Sequence, residues 1–425
     1  MPVSINDASY SAIARQLRQN KNNYSQGKWV YGGNPYCPPR ARAINSFQHA
    51  EFVANSTLLH LYDGWRYLGQ SFLALTNNSV GACGHLAYYA ELRAAMVFLA
   101  VNGIVTCNSK NYIIDNHGIA RRLPNNQRTH DAVWNLLSDF ANSNLNNGSD
   151  KIDLGSIISL NGIALRDWVT NFCGTSIHYN VYSEYLTLWG IDLCNYKNDR
   201  DQRNNYSYAP NCLLPYSVLN VKDLKTFINE FWNNVTPIGG DGMLHHVDEY
   251  ILWITLNKIK NNLSWQKTIF KSRIKTMLNS LPLSSSQKSH YENFLLQEKN
   301  NLPKFIIRGM KKSTLNAADL YIDIFVRAFF LLRISTAAVC ALFKHNTISK
   351  RELFFWWNKL GLDNGLWPQN SIPSDFSDLR LDIDEALDVI NMNSITDICL
   401  FKSAVAPALQ TLSKTEYILL WGLAI

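Results

Sequence analysis

Charge is scarce in this chain. Of its 425 residues, 17% are Asp, Glu, Lys or Arg, against 47% hydrophobic residues. That balance excludes a disordered or heavily solvated chain and calls for a large buried core. None of the eight cysteines stands in a CxxC pair, which excludes a zinc ribbon or a thioredoxin-like motif. Their irregular spacing in a long chain predicts reduced thiols in a cytoplasm rather than a disulfide framework. No Walker motif, dinucleotide fingerprint or nucleophile elbow occurs, which argues against an ATPase, a Rossmann oxidoreductase or an α/β-hydrolase. The opening residues Met1 to Asp7 lack a basic stretch followed by an apolar run, so no secretory signal is expected. A charge-free apolar run of about 18 residues is also missing. The best candidate, Ala317 to Phe343, carries Asp319, Asp323, Arg327 and Arg333, and it reads as a buried or amphipathic helix rather than a membrane span.

What is present is helical patterning. Leu58, Leu59, Tyr62, Trp65, Leu68 and Phe72 recur at spacings of three and four, predicting a long amphipathic helix from Phe47 to Leu75. His85 to Val101 is apolar nearly all round and reads as a central helix ending before Gly103. Shorter helices are expected from Ser11 to Gln19, from Thr129 onward with its hydroxyl as cap, and once or twice between Ile163 and Trp189. Asn108 to Asn126 looks irregular, with one candidate strand at Tyr112–Ile114. The Pro35–Pro39 break, the Asn142–Ser149 loop and a boundary near Pro215 divide the first half. Beyond it, Val221–Asn233, His245–Ile259, Trp265–Leu278, Ser286–Lys299, Asn316–Lys344, Lys350–Leu360 and Asp382–Ile390 carry helical periodicity, and Pro368–Ser377 reads as a loop. The fold class predicted is all-α, a multi-helix bundle with one helical region over residues 1–215 and a second over 216–425.

The basic excess is local. Lys258 to Lys312 holds twelve basic side chains against Glu292 and Glu298, while the whole chain carries +7, so the remainder is net acidic. Local positive fields attract phosphate backbones. Lys267, Lys271, Arg273, Lys275, Lys311 and Lys312 are the candidate nucleic-acid contacts, and Trp265, Phe270, Tyr291 and Phe294 are candidate stacking platforms. The alternative is a solvated helix face whose aromatics point inward.

Three segments carry candidate chemistry. In Leu86-Ala-Tyr-Tyr-Ala-Glu-Leu-Arg-Ala-Ala-Met96, Arg93 lies one turn beyond Tyr89 and suits a phosphate, or pairs with a carboxylate such as Glu91 or Asp131. In Arg128-Thr-His-Asp-Ala-Val-Trp134, His130 stands at a helix start, where a neutral imidazole can take a proton from a ribose 2′-OH. Arg203-Asn-Asn-Tyr-Ser-Tyr208 offers Arg203 for a phosphate and Tyr206 or Tyr208 to orient the hydroxyl; as a bare polar stretch before Pro210 it also reads as an exposed loop. His245 and Glu249, at i and i+4, have a metal-compatible spacing but no third ligand, and they read as a turn and helix start with no metal.

Together the three segments resemble the "YYA", "THxxV" and "RxxxxY" hallmarks of the HEPN superfamily, over about residues 45 to 210. The resemblance implies an expanded helical module with extra helices between its second and third motifs. It also implies a cytoplasmic protein of a bacterial antiphage defence or toxin–antitoxin system, commonly a homodimer. By the same resemblance it is a metal-independent endoribonuclease without cofactors, with His130, Arg203, Tyr208 and Arg93 as catalytic residues and RNA, more than DNA, as target. The sequence departs from active members, which carry an Arg followed, after roughly four to six intervening residues, by a His on the same helix. The one pair at that spacing, Arg42 and His49, precedes the Tyr-Tyr helix. That departure favours the alternative of a non-catalytic nucleic-acid-binding or scaffold subunit acting with a partner protein of the same system.

Overall fold

The computed structural model describes residues 3–25, 46–107, 110–124, 127–142, 150–152, 154–174, 196–208, 217–235, 245–310, 318–349, 352–353, 358 and 361–423. Helices dominate these residues, and the fold is an all-α multi-helix bundle. Three long helices form its centre: α2 (Ser46–Thr76), α3 (Val80–Val101) and, from much later in the chain, α13 (Leu320–His345). All three pack against one another. They approach closely because small residues face the contact. A Cβ on Gly64 of α2 would come within 2.6 Å of Leu332 on α13 and 3.3 Å of Arg93 on α3. Specific hydrogen bonds fix their register: Trp65 Nε1 donates to Thr336 Oγ1 at 3.0 Å, and Ser335 Oγ donates to the Ala94 carbonyl at 2.8 Å. Buried amide and hydroxyl groups of this kind are destabilising unless paired, so each pairing also selects the arrangement.

α13 is the one helix, among the described residues, long and apolar enough to cross a membrane, and it is largely buried within the protein. Its charges explain how. Arg327 on α13 is completely buried and grips Asp199 with two nitrogens, Nε to Oδ2 at 3.1 Å and Nη2 to Oδ1 at 2.7 Å. Arg333 reaches Asp248 at 2.6 Å, and Asp323 accepts from Arg308 at 2.9 Å. These partners lie on three other helices: α7 (Tyr196–Tyr208), α9 (His245–Asn262) and α12 (Lys304–Gly309). A buried charge is tolerable only when paired in this way, and here each pair bolts a neighbouring helix to the central one.

The remaining elements clothe that centre. α1 (Tyr10–Ser25) lies on α2, and α4 (Thr129–Asn142) lies on α3. α5 (Leu154–Ile157) touches both α13 and α6 (Leu165–Cys173), and α6 packs on α10 (Lys267–Ser280). α8 (Val221–Val235) contacts α9 and α12, and α11 (Ser285–Leu295) follows α10 behind a Ser284/Gln287 capping box. α14 (Leu379–Met392), α15 (Ile398–Ala404) and α16 (Ala406–Leu412) lead to α17 (Glu416–Leu423), which returns to α13 and α2. Thr415 Oγ1 donates to the Trp65 carbonyl at 2.6 Å at that return. The boundary expected near Pro215 falls outside the described residues. The hydrophobic core formed by elements on its two sides is continuous.

The fold departs from expectation in two places. Residues 110–122, within the stretch expected to be irregular, are ordered as a sheet. β1 (Ile104–Cys107), β2 (Lys110–Ile114) and β3 (Ala120–Arg122) form an antiparallel three-stranded sheet. The turn between the last two strands is closed by Asp115, whose Oδ1 accepts from the N–H groups of His117 and Ile119. Strands this short give too few alternations to register. Gly103, with φ of +78°, is what breaks the helix and starts β1. Second, Tyr196–Tyr208 is a helix and not an exposed loop. Its buried stripe is Asp199, Gln202 and Tyr206, a helical spacing made of polar groups that no hydrophobic pattern reveals. A further sheet pairs β4 (Ser159–Leu160) with β5 (Ile163–Ala164). The Pro35–Pro39 break, residues 175–189, and most of the expected Asn142–Ser149 loop and Lys350–Leu360 helix lie outside the described residues.

Candidate functional site

α3, the first turn of α4 and α7 meet at one surface, and the three motif segments meet with them. The close approach begins at Gly84, where a Cβ would come within 2.2 Å of the Tyr206 ring. With α7 seated there, Arg203 lies over the aromatic pair, its Cζ 5.4 Å from the Tyr88 centroid and 5.8 Å from Tyr89. His130 stacks on Tyr88 at 5.9 Å with an interplanar angle of 18°, and its Nδ1 is 3.1 Å from the Tyr88 hydroxyl. Tyr89 presents its ring to His130 on one side and to His85, 4.9 Å away, on the other.

His85 is the member to which the sequence assigns no catalytic role. Its Nδ1 is 2.7 Å from Ser207 Oγ, and Ser207 Oγ also donates to the Arg203 carbonyl at 2.8 Å. The hydroxyl has one proton, already given to that carbonyl. Toward His85 it therefore accepts, which makes Nδ1 the protonated nitrogen and leaves a lone pair on Nε2 when the ring is neutral. Both imidazoles are held neutral. Burial lowers the pKa of His130, Arg203 lowers it further, Asp131 opposes, and Arg200 and Arg93 add to the lowering. His85 is lowered by burial and then by Arg203.

The other arginines nearby are committed. Arg200 forms an ion pair with Asp131, tying α7 to the first turn of α4. Arg93 Nη1 donates to His60 Nδ1 at 2.9 Å, and its Nε lies 3.7 Å from Asp63. Both of these partners lie on α2, and neither Glu91 nor Asp131 pairs with Arg93. His60 is buried and its pKa falls to about 3, so it accepts as a neutral ring. Arg327 holds Asp199 beneath the site, beside Glu91, whose carboxyl burial and Asp199 push well above the usual range. A protonated Glu91 leaves one guanidinium facing one carboxylate. Arg203 has no carboxylate partner among the described residues, and its Nε makes no hydrogen bond there.

The candidate residues thus separate. His130 and Arg203 come together, and Arg93 lies one turn from Tyr89 but is tied to α2. Tyr208 does not join them. It is 82% exposed at the end of α7, because it falls off the stripe that faces α3. Tyr206 is the tyrosine on that stripe. His49 sits against Tyr112, 5.4 Å between rings, and Arg42 lies outside the described residues. Glu249 is engaged by His290 at 2.8 Å and by His246 at 3.8 Å rather than by a metal set. Among the described residues no group of three or more His, Cys, Asp or Glu could hold a metal ion.

Lys267, Lys271 and Lys275 stand exposed at successive turns of α10. Lys267 lies 3.6 Å from Glu298 and Lys275 3.5 Å from Glu292, and Arg273 sits over the Trp265 ring at 5.3 Å. Two of the expected stacking platforms are not available to bases, since Phe270 and Tyr291 are core residues. Lys311 and Lys312 lie outside the described residues.

No family model, no curated protein and no solved structure matches this chain.

Proposed function

We propose that the protein is a metal-independent endoribonuclease of the HEPN-like kind, cutting at the surface where α3, α4 and α7 meet. The observation that carries this reading is Arg203: an arginine without a carboxylate partner among the described residues, flanked by two neutral imidazoles on an aromatic shelf. In this reading Arg203 binds the scissile phosphate and the charge that develops on it. His130 donates Nδ1–H to the Tyr88 oxygen and takes the 2′-OH proton on Nε2. The 2′-oxygen bonds to phosphorus, the P–O5′ bond breaks, and His85, protonated on Nε2, supplies the proton to the leaving 5′-oxygen. A bound phosphodiester offsets the Arg203 field and so favours the protonated ring that the last step needs. Tyr89 lies between the two rings and can stack on a base. The reading carries with it a cytoplasmic, homodimeric protein of a bacterial defence or toxin–antitoxin system.

The test is cleavage of tRNA and mRNA in the presence of a chelator. Wild type is compared with His130→Ala, His85→Ala and Arg203→Ala, with folding followed by circular dichroism. Loss of cleavage in all three folded variants supports the reading, and intact RNA with wild type under activating conditions removes it. The exposed row Lys267, Lys271 and Lys275 favours a second reading, a non-catalytic nucleic-acid-binding subunit of a defence complex. There, charge reversal along the row abolishes function while His130→Ala does not.

A further inference from the structure

Away from that surface, a cleft of about 540 Å³ opens between the second half of α9, the start of α10 and the segment after α11. Its volume falls in the range of small-molecule sites. Lys258, Lys260, Lys267 and Lys299 line it, and the one carboxylate among its lining residues, Glu298, is engaged by Lys267 at 3.6 Å. Lys260 Nζ is held 5.0 Å from the Phe270 ring centroid, so part of this charge is fixed in place by the cleft wall.

A second observation is independent of the lysines. Trp253 lines the same cleft, is only 4% exposed, and its Nε1 has no hydrogen-bond acceptor among the described residues. Gln297, also on the wall, has a buried Nε2 in the same condition. A buried donor without an acceptor is destabilising and calls for a partner. The wall thus sets four ammonium groups against one carboxylate, with the side-chain amides of Asn257, Asn261 and Gln297 and the apolar side chains of Ile254, Leu296 and Met310 beside them. A ligand that complements it is rich in acceptors, multiply anionic, and carries an apolar part.

We propose that this cleft binds a small organic molecule bearing a diphosphate or polyphosphate group, with the phosphoryl oxygens facing the lysines and accepting from Trp253 and Gln297. Lysines hold phosphate as point charges, and a wall with an excess of cations selects anions over neutral isosteres. This inference does not rest on the ribonuclease reading, because its residues and its readout are separate from that site.

Titration calorimetry on the full chain tests it with inorganic pyrophosphate, ADP and adenosine as probes. The expected result is saturable binding of pyrophosphate and tighter binding of ADP, with none of adenosine. Lys299→Glu, at an exposed position, weakens both by about tenfold or more, the worth of one charge-assisted hydrogen bond. Trp253→Phe weakens them several-fold while leaving the melting temperature unchanged or raised. Failure of both anions to bind overturns the inference, as does binding that survives Lys299→Glu and Trp253→Phe unchanged. Binding of a single-stranded RNA oligonucleotide but of neither anion, abolished in the same variants, overturns it in favour of a polymer.

Discussion

The central helix α13 and the lysine-rich face of α10 use the same kinds of side chain to opposite ends. On α13, Arg327 and Arg333 are buried and commit their charge to Asp199 and Asp248, fixing α7 and α9 to the core. On α10, Lys267 and Lys275 reach Glu298 and Glu292 across solvent-exposed gaps of 3.6 and 3.5 Å. Exposed pairs contribute about 0–1 kcal/mol, whereas breaking a buried pair costs about 3–5 kcal/mol because the orphaned charge remains. The lesson is that a charge informs about fold when its partner is buried with it, and about ligands when it has none. Arg203 falls between the two cases: it is held by aromatic rings and not by an acid, close to helices that buried pairs have already fixed.

The sharpest way to break the comparison is at Arg327. Arg327→Ala is expected to destabilise by about 3–5 kcal/mol in urea unfolding, by leaving the buried Asp199 carboxylate without its cation. Lys271→Glu on α10 is expected to change stability by less than about 0.5 kcal/mol. Equal effects would dissolve the distinction.

Next comes catalysis. His130→Ala is expected to lower RNA cleavage by about 10²- to 10⁴-fold, the range of a missing acid–base group, with unfolding little changed. Tyr208→Phe, at an exposed position, is expected to leave cleavage as it was. Because burial and Arg203 lower both imidazoles, the pH profile of cleavage should turn over on the acid side of the ordinary histidine range.

A third effect is pH-linked stability. Burial raises the Glu416 carboxyl from 4.5 to about 7. A carboxyl raised on folding favours the folded state while protonated. Its contribution is therefore complete below about 4.5 and is lost as pH rises through about 7. Glu416→Gln should flatten the stability curve over that window, with a gain of about 3 kcal/mol at pH 8. A wild-type curve already flat between those values would contradict it. Smallest, Gly84→Ala must displace the Tyr206 ring or α7, and a destabilisation of about 1–3 kcal/mol by overpacking is expected. A disproportionate loss of cleavage should accompany it, since α7 carries Arg203.

Much of the helical frame is legible in the sequence. The spacing from Leu58 to Phe72 and the nearly all-round apolar character of His85 to Val101 mark helices that bury most of their surface, and α13 announces itself by length with embedded charges. The partners of those charges are not legible, because Arg327 and Asp199 are far apart in the chain and nothing local links them. α7 hides for a related reason: its buried face is Asp199, Gln202 and Tyr206, and polar residues bury only when a partner arrives from elsewhere. At the candidate site, His130 and Arg203 are marked by their neighbours in sequence. His85 acquires its importance only from Ser207 and Tyr89, contacts that exist once α7 is folded against α3. The lysine cleft shows in the sequence as charge alone and so reads as an open face, since the inward turn of Phe270 and Tyr291 depends on how α10 and α11 pack.

The measurement that bears most directly on the central claim is single-turnover RNA cleavage in a chelator, comparing wild type with His130→Ala, His85→Ala and Arg203→Ala, each verified as folded. The account predicts cleavage by wild type and its collapse in all three variants, with the pH profile losing one limb in each histidine variant. Cleavage that persists in His130→Ala and Arg203→Ala at the wild-type rate would contradict it.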